Sequence, residues 1–229
     1  MKQALIVRGG WQGHWPVETT EVFIPYLEAN GFNVRVEESP AIYADQAYMG
    51  TVDLIEQTIT AGTLEKDEFN GLQNAIINGA GFAGWHGGMV ASFPNTSDYM
   101  QMTGGAYTNH PGKHPDFCIG DETDNYVSHT INMTELGKNH EITGGIADFE
   151  LVTEQYWVLH DSYNDVLATT TQKVRSWDPW NREITSPAIW TRNWGRGKIF
   201  IITCGHNLEV VSERNVRTII ERGLLWASR

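Results

Sequence analysis

Hydrophobic positions divide the chain into short buried runs separated by glycine-rich turns. Residues 3–8 (QALIVR) are an apolar run that stops at Gly9-Gly10, the pattern of a buried strand entering a loop. Across 17–30, Val17, Phe23, Ile24 and Leu27 fall near one helical face, and Asn30-Gly31 supplies the stop. Residues 32–36 alternate as a second strand. Residues 52–59 predict a third, 64–78 a helix, and 81–84 a very short strand before the loop WHGGM. This βαβαβ alternation predicts an α/β fold with a mostly parallel sheet. The second half reads differently. Residues 93–115 predict loop, and strand-like runs follow at 117–119, 127–133, 149–158, 166–171, 188–192 and 198–203. The last two are joined by the hairpin signal NWGRG. Residues 210–226 predict a closing helix, with Val211, Val216, Ile219, Ile220 and Leu224 on one side. With no repeat or linker, 1–229 reads as one α/β domain with additional β structure in its C-terminal half.

Composition narrows the functional classes. Sixteen Lys+Arg against 28 Asp+Glu give a net charge of −12. That balance argues against nucleic acid or an anionic membrane as partner, since both favour a basic face. Two cysteines, Cys118 and Cys204, make no disulfide framework and fit a reducing, cytoplasmic compartment. No apolar run approaches membrane-spanning length. Charged residues are 19% of the chain, below the usual ~25%, while it carries 9 Trp, 23 Gly and 8 His. That excess points to a site.

The histidines locate it. GFAGWHGG at 81–88 ends a buried strand in a tight turn shaped like a nucleophile elbow, with His86 at the centre. Imidazole there suits a general base, a proton shuttle or a metal ligand better than an acyl nucleophile. His206 follows the strand IFIITC, and His14 follows the first strand. All three would lie at the carboxyl edge of a parallel sheet, where α/β folds place their sites. His110, in YTNHPGKHP, extends the set, and His86, His110 and His206 could together hold a divalent metal such as zinc. Glu154 and Tyr156 stand two apart on a strand, so both face one side. Glu154 there would orient or protonate a histidine. Trp190 and Arg192 also share a side, where Trp could stack on a sugar and Arg fork to hydroxyls. Cys204 lies inside an apolar strand, against a Cys-His hydrolase. No dinucleotide or P-loop fingerprint is present.

Several segments in order carry a family resemblance: LIVRGGWQGHWPVETTEVFIPYLEANGF, GFAGWHGG, GGAYTNHP, KNHEITGGIADFELVTEQYW and PAIWTRNWGRGKIFIITCGHN. The chain resembles the trehalose-utilisation (ThuA-like) family over nearly its whole length. The resemblance implies a flavodoxin-like, class I glutamine amidotransferase-like three-layer domain, with His86 where glutaminases keep cysteine. It also implies carbohydrate utilisation through 3-keto sugars. The acidic stretch 121–134, with His129, and the stretch 175–186 depart from the pattern and would bear on substrate choice.

The reading is therefore an enzyme acting on a glycoside or 3-keto sugar by histidine-mediated proton transfer: isomerisation, elimination or hydrolysis. His86, His206 and Glu154 would carry the chemistry. His14, His110, Tyr156, Trp190, Arg192 and Trp85 would shape the sugar site. The partner is a small carbohydrate, and a homo-oligomer is compatible. The alternatives are a non-catalytic sugar-binding or regulatory domain and a metal-dependent hydrolase.

Overall fold

The computed structural model describes residues 1–229. In chain order it contains β1 (Lys2–Gly10), α1 (Pro16–Glu21), α2 (Ile24–Ala29), β2 (Phe32–Glu37), α3 (Gln46–Met49), β3 (Leu54–Thr60) and α4 (Lys66–Ile77). These are followed by β4 (Gly81–Trp85), α5 (Gly87–Val90), α6 (Ser97–Thr103), β5 (Gly105–Asn109), β6 (Tyr126–Met133) and α7 (Glu135–Asn139). The chain ends with β7 (Phe149–Glu154), β8 (Trp157–His160), β9 (Asp165–Gln172), β10 (Ile184–Trp194), β11 (Gly197–Ile202), α8 (Leu208–Ser212) and α9 (Arg214–Ala227).

Nine strands form one sheet in the order β2-β1-β3-β4-β11-β10-β9-β6-β7. The first five positions in that order are mutually parallel. From β11 onward each neighbour is antiparallel. β5 and β8 pair separately as a two-stranded ribbon. Along β1 the side chains alternate between two cores: Ala4 and Ile6 in one, Leu5 and Val7 in the other. Helices α2 and α9 cover the first core through Leu27, Val216, Ile220 and Leu224. Helix α4 covers the second through Phe69, Leu72 and Ile76. Strands β1, β3, β4 and β11 are buried over most of their length, as expected of a parallel sheet covered on both faces, while the edge strand β2 is largely half-buried or exposed.

Five sequence expectations need correction. The helix predicted over 17–30 is two helices, because Pro25 has no N–H for an interior turn and instead opens α2. The region 93–115, expected to be loop, holds α6 and β5, separated by Gly104 at φ 78°. The strand expected at 117–119 is a turn: Pro115–Phe117 is a 3₁₀ helix, and Phe117 and Ile119 are exposed. The Asp124 carboxylate accepts the Ile119 and Gly120 amides and holds this turn. The run 149–158 splits into β7 and β8, which pair in different sheets. The final helix also breaks, at Glu213, whose carboxylate caps α9.

The turn after β4 depends on absent side chains. A Cβ on Gly84 would overlap the Gln57 carbonyl oxygen, and one on Gly88 would lie 2.6 Å from Thr58 Cα. Both neighbours are backbone atoms of β3 and cannot rotate away. Gly88→Ala should therefore cost roughly 1–3 kcal/mol. The melting temperature should fall by about 2–12 °C, since each kcal/mol moves it about 2–4 °C at this chain length. An unchanged melting temperature would contradict this packing.

Candidate active site

The carboxyl ends of the parallel strands meet around four side chains. His14 follows β1, His86 follows β4, His206 follows β11, and Glu154 arrives at the end of β7. Each offers one ligand atom, and the four atoms lie within 4.8 Å of one another. His86, Glu154 and His206 are buried.

The hydrogen bonds fix which atoms point inward. His86 Nδ1 is 2.7 Å from the Thr203 carbonyl oxygen, which can only accept, so Nδ1 carries the proton. Nε2 of the neutral ring is then a lone pair. It faces Glu154 Oε2 at 3.0 Å, the Tyr156 hydroxyl at 2.8 Å and His206 Nδ1 at 3.4 Å. His206 Nε2 is 3.3 Å from Glu122 Oε2, and His206 Nδ1 is 3.3 Å from Glu154 Oε2. His14 Nδ1 contacts the Thr60 hydroxyl at 2.8 Å, leaving its Nε2 free. Each imidazole thus has one nitrogen held from outside and the other available to the centre. Outer hydrogen bonds of this kind orient metal-binding histidines.

The separations carry further information. Ligand bonds of about 2.1 Å place neighbouring donor atoms roughly 3.0 Å apart at 90° and roughly 3.4 Å apart at the tetrahedral angle. The observed 3.0, 3.3 and 3.4 Å fall on that scale. Three nitrogens and one carboxylate oxygen are also a donor set suited to a divalent transition metal. The residues that fit a metal are therefore His14, His86, Glu154 and His206. This grouping differs from the expected His86, His110 and His206 in having His14 and Glu154 in place of His110. His110 instead touches Glu154 through the other carboxylate oxygen, Nε2 to Oε1 at 3.5 Å.

Electrostatics follow from burial and from Glu154. Burial and the other two imidazoles push His14 down to about 2, so it stays neutral. Burial likewise lowers His86 despite its contact with Glu154. Burial alone would raise Glu154, but the imidazoles of His206 and His86 beside it outweigh that and hold the carboxyl ionised. His206 is raised because Glu154 and Glu122 overcome its desolvation. Burial pushes Tyr156 well above its usual range, so its hydroxyl stays protonated.

Backbone strain gathers in the same place. Three non-glycine residues have positive φ: Trp15 (48°), Ala61 (54°) and His86 (53°). Trp15 follows His14, Ala61 follows the Thr60 that holds His14, and His86 is itself a cluster member. Such conformations cost about 1–3 kcal/mol each and concentrate at functional sites.

The other expected site residues are distributed differently. Tyr156 stacks on His86, with ring centroids 4.2 Å apart. Trp85 is buried against Phe23 and borders a small cavity shared with His14 and His86. Trp190 is fully buried in the second core and donates Nε1–H to the Thr103 carbonyl. Arg192, paired with Ile199 at the start of β11, binds Asp161 and Asn164 at the opposite end of that strand from His206. Trp190 and Arg192 thus form no sugar platform. Cys204 is in the first core, where burial pushes its thiol up to about 12. Thr60, Thr203 and Glu122, which contact the histidines from outside, belong to no motif, and the acidic run around Glu122 is the one signal in the sequence. Trp11, whose ring meets that of His14 at 4.7 Å between centroids, is 54% exposed.

No helix is long and apolar enough to cross a membrane. Comparison with curated proteins gives no match. The structure is similar to a ThuA-like protein of Bacteroides uniformis, with TM-score 0.72, 14% identity, and coverage of 99% of this chain and 91% of that one. It is equally similar to a ThuA-like protein of Parabacteroides merdae, with TM-score 0.72, 15% identity and coverage of 99% and 89%. A protein of Salmonella typhimurium described as cytoplasmic gives 0.65 at 12% identity, with both chains covered completely. At these identities the likeness concerns the fold. The sequence model described as trehalose utilisation matches residues 3–227, and the chain belongs to this ThuA family.

Proposed function

We propose that this protein is a carbohydrate-processing enzyme acting on a glycoside carrying a 3-keto group, with a divalent cation held by His14, His86, Glu154 and His206. One observation carries the proposal: lone pairs of His86 and Glu154 face each other at 3.0 Å, inside a ring of ligand atoms spanning no more than 4.8 Å. Two acceptors in contact require a proton or a cation between them. The carbohydrate class comes from family membership. His86 stands where an amidotransferase-like scaffold would carry its nucleophile, so thiolate chemistry is not part of this reading.

The chemistry suits the residues. A carbonyl at C3 acidifies the proton on C2, and a bound cation would supply polarisation of that carbonyl. His110 lies at the rim with its side chain 24% exposed and against Glu154. It is placed to take the C2 proton. The electron pair released at C2 forms the C1–C2 double bond as the C1–oxygen bond breaks. The departing oxygen gains a proton, for which Tyr156, kept protonated by burial, is the nearby donor. Addition of water across the double bond completes a net hydrolysis. Trp11 offers its exposed face to the sugar ring.

Elemental analysis of protein purified without chelator should find about one divalent transition cation per chain. His86→Ala and Glu154→Gln should each lower that content at least tenfold, the usual scale for a lost ligand or its partner. Wild-type protein free of metal, with turnover resistant to chelator, would overturn the cation assignment. Trp11→Ala should raise KM about tenfold, a loss of roughly 1.4 kcal/mol, and change kcat less than twofold. An unaltered KM would remove Trp11 from the sugar site.

A further inference from the structure

We infer that the cleft between β6 and β9 is a second saccharide subsite, which accepts a neutral sugar unit linked to the one held at the histidine cluster. The inference rests on the carbohydrate reading above and extends it to substrates of more than one ring. Strands β6 and β9 pair only at Asn132–Thr169 and Met133–Ala168. Over Tyr126–Ile131, β6 pairs with β7, while β9 continues along β10. The gap is a cleft of about 560 Å³, within the roughly 300–1,000 Å³ typical of small-molecule sites.

Its lining matches hydroxyl chemistry. Ser128, His129, Thr130, Gln155, Thr171 and Gln172 supply neutral donors and acceptors, and only one lining residue is hydrophobic. Three charged groups stand at the cleft: Glu150 and Lys173 are exposed and of opposite sign, and Arg175 is already bound by Asp178 and the Gly112 carbonyl. Gln172 is 4% exposed, donates Nε2–H to the Gln155 carbonyl, and has no donor for its Oε1. A buried acceptor left so costs about 1–3 kcal/mol, and Gln172 stands in the wall of the cleft. His129, also buried, gives Nδ1–H to the Val127 carbonyl, which leaves Nε2 as an acceptor.

The cleft adjoins the cluster along the chain at two places. Gln155 lies between Glu154 and Tyr156, both in contact with His86, so the end of β7 turns a carboxylate to the cluster and the next residue to the cleft. Pro111 of the cleft follows His110 of the cluster rim.

The test is a titration of the full chain with glucose, maltotriose and cellotriose, followed by saturation-transfer NMR, with cation content measured on the same samples. Wild-type protein should bind at least one trisaccharide ten or more times tighter than glucose. Gln172→Leu should reduce that preference to within twofold. Thr130→Trp, which fills the cleft from its half-buried rim without touching the buried amide, should do the same. Glucose affinity and cation content should stay at the wild-type level in both. A wild-type protein without trisaccharide preference, or a preference surviving both variants, overturns the subsite. Metal-free protein whose preference is lost in both variants instead refutes the cation reading and supports the cleft.

Discussion

Everything at the site turns on one unfavourable contact, the approach of the His86 Nε2 lone pair to the Glu154 carboxylate. Neutral imidazole with its proton committed to the Thr203 carbonyl has nothing to donate, and an ionised carboxylate only accepts. In a buried environment such a pair repels unless positive charge sits between the atoms. The rest of the arrangement brings more lone pairs to the same point rather than fewer. Thr60 anchors His14 and Glu122 anchors His206 from outside, and each leaves the opposite nitrogen free. Strained backbone at Trp15, Ala61 and His86 shows what the fold tolerates to keep that convergence.

The sheet explains how residues so far apart in sequence meet. Its parallel half ends β1, β3, β4 and β11 at one edge, which gathers His14, Thr60, His86 and His206. Its antiparallel half then supplies the carboxylate that the parallel half lacks. The break between β7 and β8 lets Glu154 and Tyr156 leave the sheet together and reach His86 from the other side. The same divergence of strands opens the polar cleft between β6 and β9, so cluster and cleft share one structural origin.

Much of this was legible in the chain itself. Apolar runs ending in glycine marked β1, β4 and β11, and the histidine after each run marked the edge. Glu154 and Tyr156 were readable as a same-side pair from strand alternation. What stayed hidden depended on long-range pairing. Nothing local to PAIWTR distinguishes a core tryptophan from an exposed one, and only the layer beyond β10 buries Trp190. His110 and His14 look equally able to join a metal set, and only the backbone path places His14 inside it and His110 against the far carboxylate oxygen. Pro25 was a visible break, outweighed by the apolar stripe around it.

X-ray absorption spectroscopy of the full chain loaded with one equivalent of zinc tests the central claim most directly. The account predicts three imidazole nitrogens and a carboxylate oxygen at about 2.0–2.2 Å, with the imidazole signal reduced by one ring in His14→Ala. A bound zinc with sulfur in its shell, or one whose histidine signal is unchanged by His14→Ala, would contradict it.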